Sequence, residues 1–277
     1  MTKAPPRILA IAGSDSSGGA GIQADIKTIT MLGGYAMTAI TAVTAQNTVG
    51  VQAIAPMSGD VVAEQVRSCL SDIGADAIKI GMVHDREIID GIADVLGKLP
   101  EGARVVLDPV MIATSGATLI APDAIAAMKD RLFPLATVIT PNFPELEHLA
   151  GRTLPDREAI AAAALSLAEE YGCAVLAKGG HAPATNPEDD LPEDDRIFDL
   201  LMMPDGEFAQ FADPRIDSPH THGTGCTLSS AIATLLGHGM PLDHSVRLGR
   251  QFVRRAIAAA PGYGRGNGPL GHQAVRG

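Results

Sequence analysis

The chain has no tryptophan, and aromatic residues make up only 3% of its 277 positions. Hydrophobic residues nevertheless account for 46% of the sequence, so the core must be built from alanine, isoleucine, leucine, valine and methionine. A chain of this length can bury a sizeable core as one large domain or two small ones. The composition therefore predicts a globular protein with an aliphatic interior.

Cysteine is also scarce, with Cys69, Cys173 and Cys226 far apart in the sequence. Three scattered cysteines form neither a disulfide framework nor a Cys-x-x-Cys metal site, and they suit a reducing compartment. Two prolines and an arginine at positions 5–7 interrupt the apolar residues near the N-terminus, and no stretch approaches the ~18 uncharged apolar residues of a membrane span. We therefore expect a cytoplasmic protein without a membrane partner.

Positive charge is in short supply. Lys and Arg number 21 against 32 Asp and Glu, which gives a formal net charge of −11. This balance argues against a surface that binds nucleic acid or anionic lipid. If the ligand is a phosphate, the positive potential must be local and must come from backbone N–H groups, a few Lys or Arg side chains and a metal ion.

Short apolar stretches alternate with amphipathic ones along most of the chain. The period of the hydrophobic residues predicts strands in the former and helices in the latter. Repeated alternation is typical of an α/β domain with a mostly parallel sheet, here spanning residues 1–277. Residues 183–196, with three prolines and six acidic residues, predict a mobile acidic loop. The predicted strands are 7–12, 36–44, 77–81, 104–107, 137–140 and 174–178, with a hairpin of 197–203 and 207–211, and the predicted helices include 60–73, 85–99, 122–133, 156–171 and 242–259.

A glycine turn that opens a helix is the most informative stretch. Gly223, Thr224 and Gly225 precede an apolar run whose members recur with helical spacing. The start of a helix has free N–H groups and a partial positive charge, so it is a ready anion site. Cys226 would lie in the first turn, where the same field favours a thiolate. The alternative is an ordinary turn before a helix.

A second glycine loop, residues 13–21, follows the first predicted strand. Gly13 and Gly18 have the G-x-x-x-x-G spacing of a P-loop, but a glycine and an alanine stand where Lys and Ser/Thr are required, so we exclude a P-loop. Such a loop still lets a small ring lie against the backbone. Asp25 follows in the first turns of the next helix, where it either contacts a ligand or serves as a helix-start charge.

Polar residues follow several of the predicted strands, and open α/β sheets bind ligands at the carboxyl ends of strands. Gln46 can both donate and accept hydrogen bonds, which suits a heteroaromatic ring or the capping of a loop. Asp108 is placed for a metal or substrate contact, and Lys178 for phosphate or a structural role. Asn142 and Glu145, three apart at a helix start, can face one ligand, and Glu145 could hold Mg²⁺ directly or through water. Alternatively, the two residues form a capping box.

The histidines and the glycine-rich tail carry less information. His84, His148, His181 and His222 lack the spacing of a metal site, so we predict loop or surface positions, with His222 the best exception. Residues 266–271 match G-x-G-x-x-G, but no strand precedes them and no helix follows, which excludes a dinucleotide-binding turn.

Together, these motifs resemble those of the hydroxymethylpyrimidine/phosphomethylpyrimidine kinases of thiamine biosynthesis, in the ribokinase-like superfamily. The resemblance covers nearly the whole chain in order, and it is specific as a set. Its motifs are GSDSSGGAGIQAD at 13–25, AQNT at 45–48, KIGM at 79–82, LDPV at 107–110, TPNFPE at 140–145, KGGH at 178–181, HGTGC at 222–226 and the glycine tail.

The resemblance implies a central, mostly parallel sheet with helices on both faces. It also implies transfer of the γ-phosphate of ATP, with Mg²⁺, to 4-amino-5-hydroxymethyl-2-methylpyrimidine and then to the resulting monophosphate. Relatives in this family are typically homodimers. Cys226 would be the base of the first transfer only, since the second acceptor is already a phosphate. The implied site residues are Gly13, Asp25, Gln46, Met82 and Val110 for the pyrimidine, Asp108, Thr140, Asn142 and Lys178 for ATP, Glu145 for the metal, and Gly223, Thr224, Gly225 and Cys226 for catalysis.

Two other functions remain open at this point. A pyridoxal kinase is the nearest, because that activity occurs on the same fold and pyridoxal also carries a hydroxymethyl group on a substituted ring. A catalytically idle pyrimidine or nucleotide sensor belongs to a different class. The sensor predicts a damaged phosphate site, whereas the glycine turn, Asn142 and Glu145 are all present.

Overall fold

The computed structural model describes residues 4–100, 102–111, 119–179 and 196–275. The strands, in chain order, are β1 (Arg7–Asp15), β2 (Tyr35–Asn47), β3 (Gly50–Pro56), β4 (Ala77–Ile80), β5 (Val105–Leu107), β6 (Val138–Ile139), β7 (Ala174–Lys178), β8 (Arg196–Met202) and β9 (Phe208–Pro214). They form one sheet in the order β3-β2-β1-β4-β5-β6-β7-β8-β9. The strands from β2 to β7 in this order are parallel, whereas β3, β8 and β9 are antiparallel to their neighbours.

Helices cover both faces of this sheet. They are α1 (Gly21–Met31), α2 (Gly59–Asp72), α3 (Arg86–Leu96), α4 (Pro122–Arg131), α5 (Phe143–Ala150), α6 (Arg157–Tyr171), α7 (Thr224–Gly237) and α8 (Leu242–Ala258). Short 3₁₀ turns occur at Phe133–Leu135 and His272–Ala274. Within the part of the chain that the structure describes, no helix has the length and apolarity needed to cross a bilayer.

The core has two layers, one on each side of the sheet. Along β1, Ile8 and Ala10 belong to one layer and Leu9 and Ile11 to the other, because successive side chains of a strand point to opposite faces. The first layer packs against α1, α7 and α8, and the second against α2 to α6. Strands buried on both faces have nearly continuous apolar sequences, which is how β1 appears in the sequence.

The predicted alternation of strands and helices is confirmed, with shifts at the ends of elements. β1 runs on through Gly13 to Asp15, because the start of the glycine loop still pairs with β2. β3 was not predicted; it is an edge strand that pairs only with β2 in the described part of the chain. The 197–203 and 207–211 hairpin is confirmed, as β8 and β9. The acidic stretch 183–195 and His181 lie outside the described residues.

The parallel strands fix the location of the site. Because they run in the same direction, their carboxyl ends meet at one edge of the sheet. The end of β1 at Asp15, the end of β2 beyond Gln46, Asp108 just after β5 and Lys178 at the end of β7 therefore face a common region. The start of α7 is packed there as well.

Candidate active site

The first turn of α7 is built around Gly223. Its φ is +88°, which side-chain-bearing residues rarely adopt, and a Cβ there would lie 2.0 Å from the carbonyl oxygen of Gly19. No side chain caps this helix. The Thr224 N–H donates to the carbonyl of Thr221 at 3.3 Å. The N–H groups of Gly225 and Cys226, in the uncapped first turn, are therefore the ones that can face an anion.

Cys226 lies half-buried in this turn. Burial raises the pKa of its thiol to about 11, although the positive charge of Lys79 acts in the opposite direction. The thiolate expected from the field of the helix is therefore wrong for this arrangement. Desolvation, together with the negative charges of Asp25 and Asp108, outweighs the positive charge of Lys79 and the hydrogen bond from the Gly21 backbone.

A buried charged cluster lies against the same turn. Lys178 Nζ donates to Asp108 Oδ1 at 2.7 Å, and Thr140 Oγ1 donates to the same oxygen at 2.9 Å. A Cβ on Gly225 would lie 3.2 Å from Asp108 Oδ2 and 3.4 Å from Lys178 Nζ. Burial lowers the pKa of Lys178, but the charges of Asp108 and Glu145 outweigh it and raise the pKa overall. The structure therefore joins an ammonium group and a helix start at one point.

Asn142 and Glu145 form the capping box that the sequence offered as the structural alternative. Asn142 Oδ1 accepts from the Glu145 N–H at 2.9 Å, and Glu145 Oε2 accepts from the Asn142 N–H at 2.8 Å. The pKa of Glu145 is raised to about 7, because burial and the negative charge of Asp108 outweigh the positive charge of Lys178. A nearby cation would stabilise the ionised form of this buried carboxyl group.

The fit of this cluster to Mg²⁺ follows from its donors. Carboxylate oxygens of Glu145 and Asp108 are the hard ligands that Mg²⁺ takes, in small number, beside water and phosphate oxygens. In the parts of the chain that the structure covers, no three His, Cys, Asp or Glu side chains are grouped as a ready metal site. These residues fit an ion that is held largely by phosphates and water.

Asp25 and Lys79 form a buried ion pair beneath the site. Lys79 Nζ lies 2.9 and 3.0 Å from the two carboxylate oxygens, and Ser230 Oγ donates to Asp25 Oδ1 at 2.7 Å. Both charged side chains are fully buried. Burial lowers the pKa of Lys79, but Asp25 outweighs it and keeps the ammonium charged. Asp25 thus has no exposed surface, and its direct contact with a substrate stays a prediction.

The residues predicted to contact a ring fall into two groups. Gly13 lies against Met82, since a Cβ on Gly13 would be 2.4 Å from Met82 Cε, and Met82 belongs to a small apolar cluster that Val110 packs against. Gln46 lies at the end of β2, where its Oε1 accepts from Thr44 Oγ1 at 3.1 Å. An apolar wall and an amide are therefore both present.

Sequence reasoning missed Asp15. This buried carboxylate accepts four hydrogen bonds from residues 17–20 and a fifth from His222. An aspartate before Ser-Ser-Gly-Gly is typical of a side chain that organises its own turn, and that signal could have found it. His222 itself is buried rather than on the surface, whereas His148 is exposed near the end of α5.

The order of the strands, the uncapped start of α7 and the charged cluster beside it are typical of a phosphotransferase of the ribokinase-like fold. Solved structures of such kinases superpose on this chain. The ADP complex of Bacillus subtilis pyridoxal kinase is 32% identical, covers 98% of both chains and superposes with a TM-score of 0.84. The Staphylococcus aureus pyridoxal kinase with AMP-PCP and pyridoxal has a TM-score of 0.85 at 32% identity, over 99% of this chain and 97% of the other. The Clostridium difficile phosphomethylpyrimidine kinase has a TM-score of 0.76 at 38% identity, over 91% and 99%.

The sequence is more specific than the fold. The family model described as phosphomethylpyrimidine kinase matches residues 15–271, so the chain belongs to that family. The hydroxymethylpyrimidine/phosphomethylpyrimidine kinase of Haemophilus influenzae is 43% identical over 97% of both chains. A thiamine biosynthesis bifunctional protein of Geobacter sulfurreducens is 45% identical over 96% of this chain, which spans only 52% of that protein. The predicted resemblance, fold and kinase class are confirmed.

Proposed function

We propose that this chain transfers the γ-phosphate of ATP to 4-amino-5-hydroxymethyl-2-methylpyrimidine, and then a second phosphate to the monophosphate, in thiamine biosynthesis. Family membership supports the acceptor, and the ADP and AMP-PCP complexes of similar enzymes support the donor. The single observation that carries the reaction is the Asp108–Lys178 pair against the uncapped first turn of α7.

Phosphoryl transfer depends mainly on positioning and on charge stabilisation. In our proposal the N–H groups of Gly225 and Cys226 face the transferring phosphate, where fixed dipoles stabilise charge without reorganising. Lys178 supplies an ammonium group at the same place and is oriented by Asp108. Thr140 and Asn142 lie in the one short segment between β6 and α5 that adjoins this cluster, and we assign both to ATP.

Glu145, with Asp108 nearby, would hold Mg²⁺. When bound, the ion would supply positive charge that offsets the negative charge of the phosphates. Burial raises the pKa of Glu145 to about 7 because it disfavours the ionised form, and a cation beside Glu145 would stabilise that form. The capping box leaves both of its oxygens at the start of α5, so one side chain can serve the helix and the ion.

The acceptor ring would lie against Gly13, Met82 and Val110, with Gln46 donating to or accepting from its heteroatoms. Cys226 would take the hydroxymethyl proton in the first transfer only. Its pKa of about 11 means that this role requires the charges of Lys79 and of the bound cation to favour the thiolate in the filled site. Asp25 holds Lys79 in place, although its own negative charge raises the pKa of the Cys226 thiol.

Pyridoxal phosphorylation is the second candidate. It is supported by the two pyridoxal kinases that superpose with TM-scores of 0.84 and 0.85. An idle sensor is disfavoured, because the residues of the phosphate site converge in one place. We also propose a cytoplasmic location, which suits the unpaired cysteines, and a homodimer by family analogy, which sedimentation would test.

The deciding experiment is Mg²⁺-dependent release of ADP from the purified protein with three acceptors in parallel: hydroxymethylpyrimidine, its monophosphate and pyridoxal. Turnover of both pyrimidines is expected. Turnover of pyridoxal alone would show that the acceptor is pyridoxal, and it would leave the assignment of the phosphate site unchanged. No turnover by folded protein that binds ATP would favour the sensor.

A further inference from the structure

Asp15 fixes the shape of the loop that follows β1. Oδ1 accepts from the N–H and hydroxyl of Ser17, each at 2.8 Å, and Oδ2 accepts from the N–H groups of Gly19 at 3.1 Å and Ala20 at 2.8 Å. Burial raises the pKa of Asp15, but the hydrogen bonds from His222 and Ser17 outweigh it and hold the value at about 2. The carboxylate is therefore charged and fully engaged.

His222 connects this loop to the phosphate-binding turn. Its Nε2 lies 2.8 Å from Asp15 Oδ2, and because an ionised carboxylate only accepts, the ring must carry its proton on Nε2. The ring also packs on the loop, since a Cβ on Gly19 would lie 2.4 Å from His222 Cδ2. The next residue is Gly223, which touches the carbonyl of Gly19. Loop and turn are thus in contact at adjoining points.

The end of β2 joins the same assembly. Ser16 Oγ donates to the carbonyl of Gln46 at 2.9 Å and accepts from its N–H at 2.9 Å. Gln46 Nε2 lies 3.4 Å from His222 Nε2. Three segments far apart in the sequence, namely the loop after β1, the end of β2 and the start of α7, therefore meet at the Asp15–His222 pair.

We propose that Asp15 and His222 are positioning residues that hold the acceptor-recognising end of β2 in register with the phosphate-binding turn of α7. Neither needs to touch a reacting atom. The proposal rests on the assignment of Gln46 to the acceptor and of Gly223 to Cys226 to the phosphate. It gives these two buried polar side chains a role, because a misplacement of the acceptor by about 1 Å relative to the phosphate would cost roughly 100-fold in rate.

The test compares Asp15→Asn and His222→Ala with a matched control, Asp76→Asn. Asp76 is also a hydrogen-bonded carboxylate, and the hydrogen bond from Arg7 lowers its pKa to about 2. It lies near the start of β1, whereas Asp15 ends that strand. His222→Gln restores an amide N–H and serves as the conservative rescue. The double variant Asp15→Asn/His222→Ala completes a cycle.

We expect each of the two site variants to lower kcat of the first transfer by about 30- to 100-fold, with the dissociation constant of ATP changed less than about threefold. His222→Gln should recover most of the loss, and the double variant should be no worse than either single one. Asp76→Asn should keep the wild-type kcat, even if its Tm falls as far as that of Asp15→Asn. Amide hydrogen exchange in Asp15→Asn should rise at residues 223–227 as well as at 16–20.

Three results would overturn the proposal: a kcat in Asp15→Asn no lower than in Asp76→Asn, multiplicative losses in the double variant, or increased exchange confined to residues 16–20. If Asp15→Asn does not fold, the His222→Ala and His222→Gln pair decides. Hydrogen exchange needs no substrate, so this outcome is separate from a failure of the wild-type protein to phosphorylate pyrimidines.

Discussion

Replacing Gly223 with alanine tests the geometry of the glycine turn at the start of α7, which we propose binds phosphate. At φ +88° an L-residue costs about 1–2 kcal/mol. The added Cβ would lie 2.0 Å from the carbonyl oxygen of Gly19, whereas real Cβ contacts are essentially never shorter than 3.0 Å. The turn and the loop must therefore separate by at least about 1 Å, and such a misplacement costs roughly 100-fold in rate.

Gly239 provides the control. Its φ is +90°, almost the same, yet a Cβ there would meet no heavy atom within 4 Å. Gly239→Ala should therefore carry the same backbone strain, with a fall in Tm of about 2–4 °C for each kcal/mol, and no change in catalysis. Gly223→Ala should show at least this loss of stability and an additional fall in kcat of about 100-fold.

The assay is thermal unfolding together with steady-state turnover of hydroxymethylpyrimidine at saturating ATP. The comparison of the two variants removes the shared effect of the left-handed conformation. If Gly223→Ala kept the turnover of Gly239→Ala, the close approach of the turn to the Gly19 loop would have no part in catalysis.

Three further predictions concern titratable groups. Cys226→Ala should lower the first transfer about 100- to 10,000-fold, as loss of a general base does, and lower the second transfer and ATP binding much less; unchanged turnover of the free alcohol would remove Cys226 from the mechanism. Glu145 has a pKa of about 7, above its ordinary 4.5, so the free energy of unfolding should fall as pH rises from about 4.5 to 7. Glu145→Gln, which keeps the helix cap, should abolish this pH-dependent fall in Tm. Mg²⁺ should raise the Tm of the wild type more at pH 8 than at pH 6. Burial lowers the pKa of His272 to about 4, so stability should be lost as pH falls from about 6.5 to 4, and His272→Gln should flatten that slope while retaining a partner for Thr227 Oγ1, which is 2.8 Å from Nε2. Equal slopes in wild type and variant would refute the second and third predictions.

The sequence predicted most of the fold because hydrophobic periodicity is local. Strands such as β1 and β7 appear as apolar runs, and helices such as α6 appear through their spacing. β3 was missed because an edge strand with mostly exposed side chains has no such pattern. The ends of β1 and β2 were placed too early, since pairing across the sheet continues into residues that have turn-like or polar composition.

The site was predictable only in part. Glycine turns and polar strand ends identified Gly223, Asp108 and Lys178, because their chemistry is visible in a short stretch. The protonated state of the Cys226 thiol was not predictable, because its pKa depends on burial and on carboxylates from other segments. Asp25 could not be recognised as the partner of Lys79, which is 54 residues away.

By itself, the sequence determined the α/β class, the aliphatic core, the glycine turn before α7 and the family. Each of these depends on residues that are neighbours in the chain or on the order of motifs. Only the tertiary structure decided which polar side chains pair: Asp15 with His222 across 207 residues, and Asp108 with Lys178 across 70. The physical reason is that parallel strands bring their carboxyl ends together irrespective of sequence separation, and pairing there depends on distance and burial.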